Sequence, residues 1–97
     1  MRLFIVRDDD TGECHLFKNR KNAIDTMYRK CKEWGAILYA AVKVNGLYQY
    51  TSLDEIYDTD EKKLNFLYLL SNVELCVIFE AYLYFQECDC EIEDEDS

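Results

Sequence analysis

The dipeptide Asn45-Gly46 stands between two β-prone runs, residues 36–44 and 47–51. A two-residue hairpin loop whose twist matches its strands needs positive φ at both central residues. Asn-Gly supplies that with little strain. This commits residues 36–51 to an antiparallel hairpin, and the rest of the chain must be arranged around it. A second hairpin is predicted over residues 1–18. There Leu3-Phe4-Ile5-Val6 and Cys14-His15-Leu16-Phe17 flank a loop of about five residues that contains Asp8-Asp9-Asp10-Thr11-Gly12.

Between the hairpins, Ala23, Ile24, Met27, Tyr28, Cys31 and Trp34 recur at helical spacing. The pattern predicts a helix over residues 20–34, capped by Asn19 or Asn22 and stopped at Gly35. Arg29, Lys30 and Lys32 lie near its C-terminus, where cations favour the helix dipole. Trp34 is expected to be mostly buried, close to Ile24, Met27, Leu38, Val42, Val77 and Phe79.

Ser52 and Glu55 have capping-box spacing and predict a short helical turn ending near Tyr57. Asp58 and Glu61 repeat that spacing and open a longer helix that ends near Ser71-Asn72. In residues 73–85 every odd position is apolar (Val73, Leu75, Val77, Phe79, Ala81, Leu83, Phe85), which reads as one long strand in preference to the alternative of a helix. The predicted class is α+β: an antiparallel sheet from two hairpins plus a long C-terminal strand, packed against two or three helices. Residues 1–86 read as one domain and residues 87–97 as an acidic, flexible tail.

With 97 residues there is room for one domain, and 49% hydrophobic residues are enough to give it a core. A net charge of −9 argues against direct nucleic-acid binding. No apolar run reaches the roughly 20 residues that span a bilayer, and the apolar stretch at the start is too short for a signal peptide. Five cysteines cannot all pair within one chain. A cytoplasmic protein with free thiols is expected, with Cys31 and Cys76 buried. Cys88 and Cys90 could join Cys14 or His15 in a zinc site only if the tail folded back, and no metal or cofactor is expected. No Gly-rich phosphate loop, G-x-S-x-G or H-E-x-x-H occurs, so no residue reads as catalytic and the chain reads as a non-enzyme.

Charge is unevenly placed along the chain. Residues 18–35 hold six basic and two acidic side chains. Those bases, Lys18, Arg20, Lys21, Arg29, Lys30 and Lys32, read as solvated or paired within the molecule. Asp54, Glu55, Asp58, Asp60 and Glu61 form a run without a base. The tail holds Glu87, Asp89, Glu91, Glu93, Asp94, Glu95 and Asp96, again without one. Tyr48 and Tyr50 share one strand face, as do Tyr82 and Tyr84, and exposed tyrosines are frequent anchors of interfaces.

These features predict a partner surface built from Asp54, Glu55, Asp58, Asp60, Glu61, Tyr82, Tyr84, Glu91, Glu93, Asp94, Glu95 and Asp96. Its partner would be a protein with a basic groove, with no direct contact to nucleic acid or membrane. The alternative is a homo-oligomer, a dimer in the simplest case, that pairs its Tyr-rich strands across a two-fold axis.

In its short α+β pattern, its Tyr and Asp/Glu richness and the tail Glu91-Ile92-Glu93-Asp94-Glu95-Asp96, the chain resembles small acidic proteins of phages and mobile elements. Anti-CRISPR proteins and DNA mimics are among them. That resemblance implies an inhibitor of a nucleic-acid-handling host protein. The basic helix departs from a uniformly anionic mimic.

Overall fold

The computed structural model describes residues 2–89. Along the chain these form β1 (Arg2–Asp8), β2 (Cys14–Phe17), α1 (Arg20–Glu33), β3 (Tyr39–Val44), β4 (Leu47–Ser52), α2 (Leu53–Ile56), α3 (Asp60–Tyr68), α4 (Asn72–Phe79) and β5 (Leu83–Asp89). The fold is α+β. Its antiparallel strands are divided between a three-stranded sheet in the order β2-β1-β5 and a separate two-stranded sheet, β3-β4.

Alternation along β1 turns Phe4, Val6 and Asp8 inward, and the register sets Val6 opposite Phe85 and Asp8 opposite Leu83. Phe4 and Phe85 stack with ring centroids 6.2 Å apart. Asp8 is held by the loop it starts. Its carboxylate accepts from the Asp10 N–H at 2.9 Å and the Thr11 N–H at 3.4 Å.

Helix α1 covers this face with Ala23, Ile24, Met27, Tyr28 and Cys31, all buried. Asn19 caps its start by accepting from the Lys21 and Asn22 N–H groups. At the other end the Gly35 N–H bonds the Lys32 carbonyl and the Ala36 N–H bonds the Cys31 carbonyl, with Gly35 at φ 70°. This pair of bonds is the Schellman arrangement, which a left-handed residue makes possible. It also corrects the expectation for Trp34. The helix ends at Glu33, Trp34 becomes the capping residue, and it is 48% exposed. Leu38 and Leu53 are buried in the same core as Cys31. Of the neighbours expected around Trp34, Ile24, Met27, Leu38 and Phe79 are core residues, whereas Val77 is exposed.

The long strand expected over residues 73–85 is replaced by a helix, a turn and a strand. Ser71 starts α4 with a full capping box: its hydroxyl accepts from the Glu74 N–H at 3.2 Å, and the Glu74 carboxylate accepts from the Ser71 N–H at 3.3 Å. Residues 72–79 are apolar almost all round, so periods of 2 and 3.6 fit the sequence equally well. The Ser-x-x-Glu spacing at residues 71–74 is the sequence signal that separates them. Leu75 and Phe79, one turn apart, fill the core. Strand β5 begins only at Leu83 and runs through Asp89, past the expected tail boundary at residue 86.

The turn residues Asn45 and Gly46 have φ 51° and 83°, as a type I′ loop requires. The Leu53 N–H continues the ladder beyond β4 by bonding the Leu38 carbonyl at 2.9 Å. Helix α3 is capped by Thr59, whose hydroxyl accepts from the Lys62 N–H at 3.2 Å, and not by Asp58. Arg20 ties α1 to the end of α3. Its guanidinium donates to the carbonyls of Tyr68 and Leu70 and to the Asn72 side chain, at 2.6–3.1 Å. The C-terminal carbonyls of α3 thus meet a cation, which the helix dipole favours.

Candidate functional site

The face of α4 opposite Leu75 and Phe79 carries Val73 and Val77, spaced one turn apart and 73% and 47% exposed. Beside them stands the hairpin, with Tyr39 and Tyr50 on the same side as Ala41. Two adjoining concavities, of about 160 and 310 Å³, lie between these elements and share Tyr39, Tyr50, Val77 and Ile78. Phe66 and Leu70 close one end, and Ile37 and Tyr82 the other. Glu74 and Glu80 line the groove as its acidic members. Tyr48 and Tyr50, further along β4, are 75% and 72% exposed. The groove has an apolar floor, phenolic rims and two carboxylates, a composition common among protein-contact surfaces.

The acidic run at residues 54–61 is less anionic than its sequence suggests, because the fold brings lysines to it. Asp54 pairs with Lys63, Asp58 pairs with Lys62 at 2.8 Å, and Asp60 pairs with Lys32. Asp60 also accepts from the Tyr28 hydroxyl at 2.6 Å. The Lys32 hydrogen bond, and after it the one from Tyr28, hold the Asp60 carboxyl below its ordinary pKa. Glu55 and Glu61 are exposed and carry no ion pair among the described residues. The base-free run is thus a set of clamps between α1, α2 and α3 as much as it is a charged surface.

Tyr82 and Tyr84 do not share a strand face. Tyr82 lies in the turn before β5, its N–H bonded to the Phe79 carbonyl at 2.8 Å, and its ring lines the groove. Tyr84 lies on β5 beyond α4, with the Arg7 guanidinium 4.6 Å from its ring centroid and its hydroxyl donating to Gln86. It faces a separate concavity with Val73, Val77 and Glu80. The Val73–Val77 ridge therefore separates the two tyrosines. The predicted site residues Glu91, Glu93, Asp94, Glu95 and Asp96 lie outside the described residues.

Among the described residues Cys14 and His15 do not converge with Cys88, and Cys90 lies outside those residues. Cys14 is registered with Arg7, and Cys88 with Leu3. Four residues of β1 separate those points, about 13 Å along the strand. Among the described residues no group of three His, Cys, Asp or Glu side chains could hold a metal ion. Burial pushes the Cys31 thiol up to about 11, and it raises Cys76 as well. Neither has thiolate character near neutral pH. Of the bases on α1, Arg20 is spent on α3, Lys32 on Asp60, and the Lys21 ammonium lies 5.2 Å from the Tyr68 ring centroid.

The sequence reading missed Tyr39, Val73 and Val77. Alternation places the two valines on the apolar face of a strand, whereas their helical spacing gives them a common exposed side. Among the described residues no helix is long and apolar enough to cross a membrane. Comparison of the chain with known protein families, curated proteins and solved structures finds no match.

Proposed function

We propose that this chain is a protein-binding module whose contact surface is the groove between the β3–β4 hairpin and α4. The observation that carries the reading is the exposed side of α4, Val73 and Val77, standing open beside Tyr39 and Tyr50 with Glu74 and Glu80 at its margin. Such a surface fits an apolar or aromatic side chain presented between lysines or arginines. Tyrosines and valines would hold the complex by desolvation, while the carboxylates and the chain's net charge of −9 would guide encounter. A protein that normally grips DNA or RNA presents such a basic surface, so inhibition of a nucleic-acid-handling protein is the specific form of the proposal. Supporting it are the overall acidity and the acidic tail, since the 54–61 run is largely paired with lysines.

The test has two stages. Wild-type, Val77→Asp and Glu74→Lys/Glu80→Lys baits are compared for capture from lysate of the cell that encodes the chain. Each captured protein is then purified and titrated directly against all three, with and without its nucleic acid. A basic protein bound by the wild type, weakened at least tenfold by Val77→Asp and displaced from its nucleic acid supports the reading. Equal affinity for all three baits removes the groove from it.

A further inference from the structure

The outer edge of β4 has a property that does not depend on the groove. We infer that β4 pairs antiparallel with β4 of a second copy of this chain, with Gln49 on the two-fold axis, making a continuous four-stranded sheet.

The argument begins with the phase of the ladder. The type I′ loop makes Val44–Leu47 a hydrogen-bonded pair, and the pairs then alternate, so Val42–Gln49 and Ala40–Thr51 are hydrogen-bonded too. The Leu53 N–H to Leu38 carbonyl bond confirms that phase from the other end. The N–H and C=O groups of Tyr48 and Tyr50 therefore point away from β3, along an edge that no strand among the described residues occupies.

Sequence around Gln49 then selects the occupant and the register. Leu47-Tyr48-Gln49-Tyr50-Thr51 is nearly palindromic in chemical type. With Gln49 opposite its own copy, Tyr48 falls opposite Tyr50 of the second chain, and every outward backbone group of the two tyrosines finds a partner. Centring on Tyr48 would set Tyr50 against the turn residue Gly46, and centring on Tyr50 would set Tyr48 against Ser52, which is committed to capping α2. The tyrosines form cross-strand aromatic pairs on one face, and the two Gln49 amides meet on the other, where they can hydrogen-bond each other.

Edge strands normally carry a device against such pairing. The edge of β3 has Lys43, and β2 is only four residues long with Glu13 and Lys18 at its ends. The edge of β5 adjoins α4, whose Cys76 thiol donates to the Phe85 carbonyl at 3.1 Å. Strand β4 has no charge, no proline and no glycine in a chain that is 32% charged. A lone two-stranded sheet is also marginal, and doubling it relieves that.

Sedimentation of the purified full chain over a concentration series tests the inference without any foreign partner, so its outcome is separable from that of the groove reading. The wild type is expected to move from monomer to dimer in the micromolar range, because an edge contact is smaller than a standard interface. Gln49→Lys and Gln49→Glu each place like charges opposite one another, about 4.5 Å apart at Cα. Each variant alone should weaken the dimer at least tenfold, and an equimolar mixture should restore it. Should either Gln49 variant fail to fold by circular dichroism, mixing Tyr48→Lys with Tyr50→Glu sets opposite charges across the neighbouring pair, and the mixture should associate more tightly than either variant alone. A wild type that stays monomeric throughout, a dimer untouched by Gln49→Lys, or a mixture no more associated than its components would each overturn the inference.

Discussion

The body built on β2-β1-β5 and the β3–β4 hairpin use similar β-prone residues to opposite ends. In the body, Phe4, Val6, Leu83 and Phe85 are all buried beneath α1 and α4. In the hairpin strands, Ala40 is the one buried residue, and Leu47, Tyr48 and Tyr50 face outward. Buried Leu38 and Leu53 anchor the hairpin at its root, so it projects from a core that it hardly enters. What separates the two is the presence of a helix stripe over the strands. Where one covers them, each large side chain contributes roughly 1.5–3 kcal/mol by leaving water. Where none does, the same chemistry remains available to another molecule.

The sharpest way to break this contrast is to delete one large ring from each region. Phe79→Ala removes a fully buried side chain and should lower unfolding free energy by about 3–5 kcal/mol in a denaturant titration. Tyr48→Ala, compared at a concentration where the chain is monomeric, should stay within about 0.5 kcal/mol of wild type. Comparable losses would mean that the hairpin is part of the cooperative core.

Arg20→Ala comes next, because it leaves the Tyr68 and Leu70 carbonyls without their donor. A loss of about 1–3 kcal/mol is expected, with faster hydrogen exchange in α3 than in β3–β4. Uniform exchange across both regions would count against separate anchoring.

Gly46→Ala forces a side chain onto φ 83° and should cost about 1–2 kcal/mol locally, seen as increased exchange of the β3–β4 amides. Protection in β1 and β5 should not change. Trp34→Ala should have a smaller effect, under about 1 kcal/mol, since the capping position leaves the ring half exposed.

The smallest effects are those of pH, and both report on the body. Tyr68 donates to Asp25, which with burial pushes its pKa up to about 12. A raised folded value means stability complete below the unfolded pKa near 10 and lost as pH rises toward 12. Tyr68→Phe should remove the part of that alkaline limb that Tyr68 carries and leave the part carried by Tyr28, whose pKa burial and its bond to Asp60 raise further. Asp60 is lowered, so its contribution is complete above the usual carboxylate range and disappears as pH falls through its folded value. Asp60→Asn should flatten the acid limb of a melting-temperature profile. Limbs that keep their slope in these variants would place the titrating groups elsewhere.

Local chemistry settles several elements before any packing is considered. Asn45-Gly46 needs only its own φ angles to make a hairpin. Asn19, the apolar spacing of residues 23–31 and Gly35 define α1 within a residue or so at each end, because caps act on neighbouring backbone groups. Cys31 is buried as its neighbours predict, whereas Cys76, expected to be buried too, is only half-buried. Residues 73–85 resist a reading by periodicity: when nearly every position is apolar, only the capping box at residues 71–74 marks the helix start, and competition for the edge of β1 decides where the strand begins. Only part of that segment, from Leu83, pairs there, while Leu75 and Phe79 fill the core from a helix.

The candidate site is almost wholly a product of tertiary structure. Val73 and Val77 come to face Tyr39 and Tyr50 only after α4 and the hairpin have packed. Asp54 and Asp60 lose their apparent freedom only when Lys63 and Lys32 arrive from elsewhere in the chain. Caps and turns are short-range and can be read from consecutive residues. Burial, charge pairing and the division of strands between sheets depend on which surfaces meet, and that is decided by the competition among all the apolar faces at once.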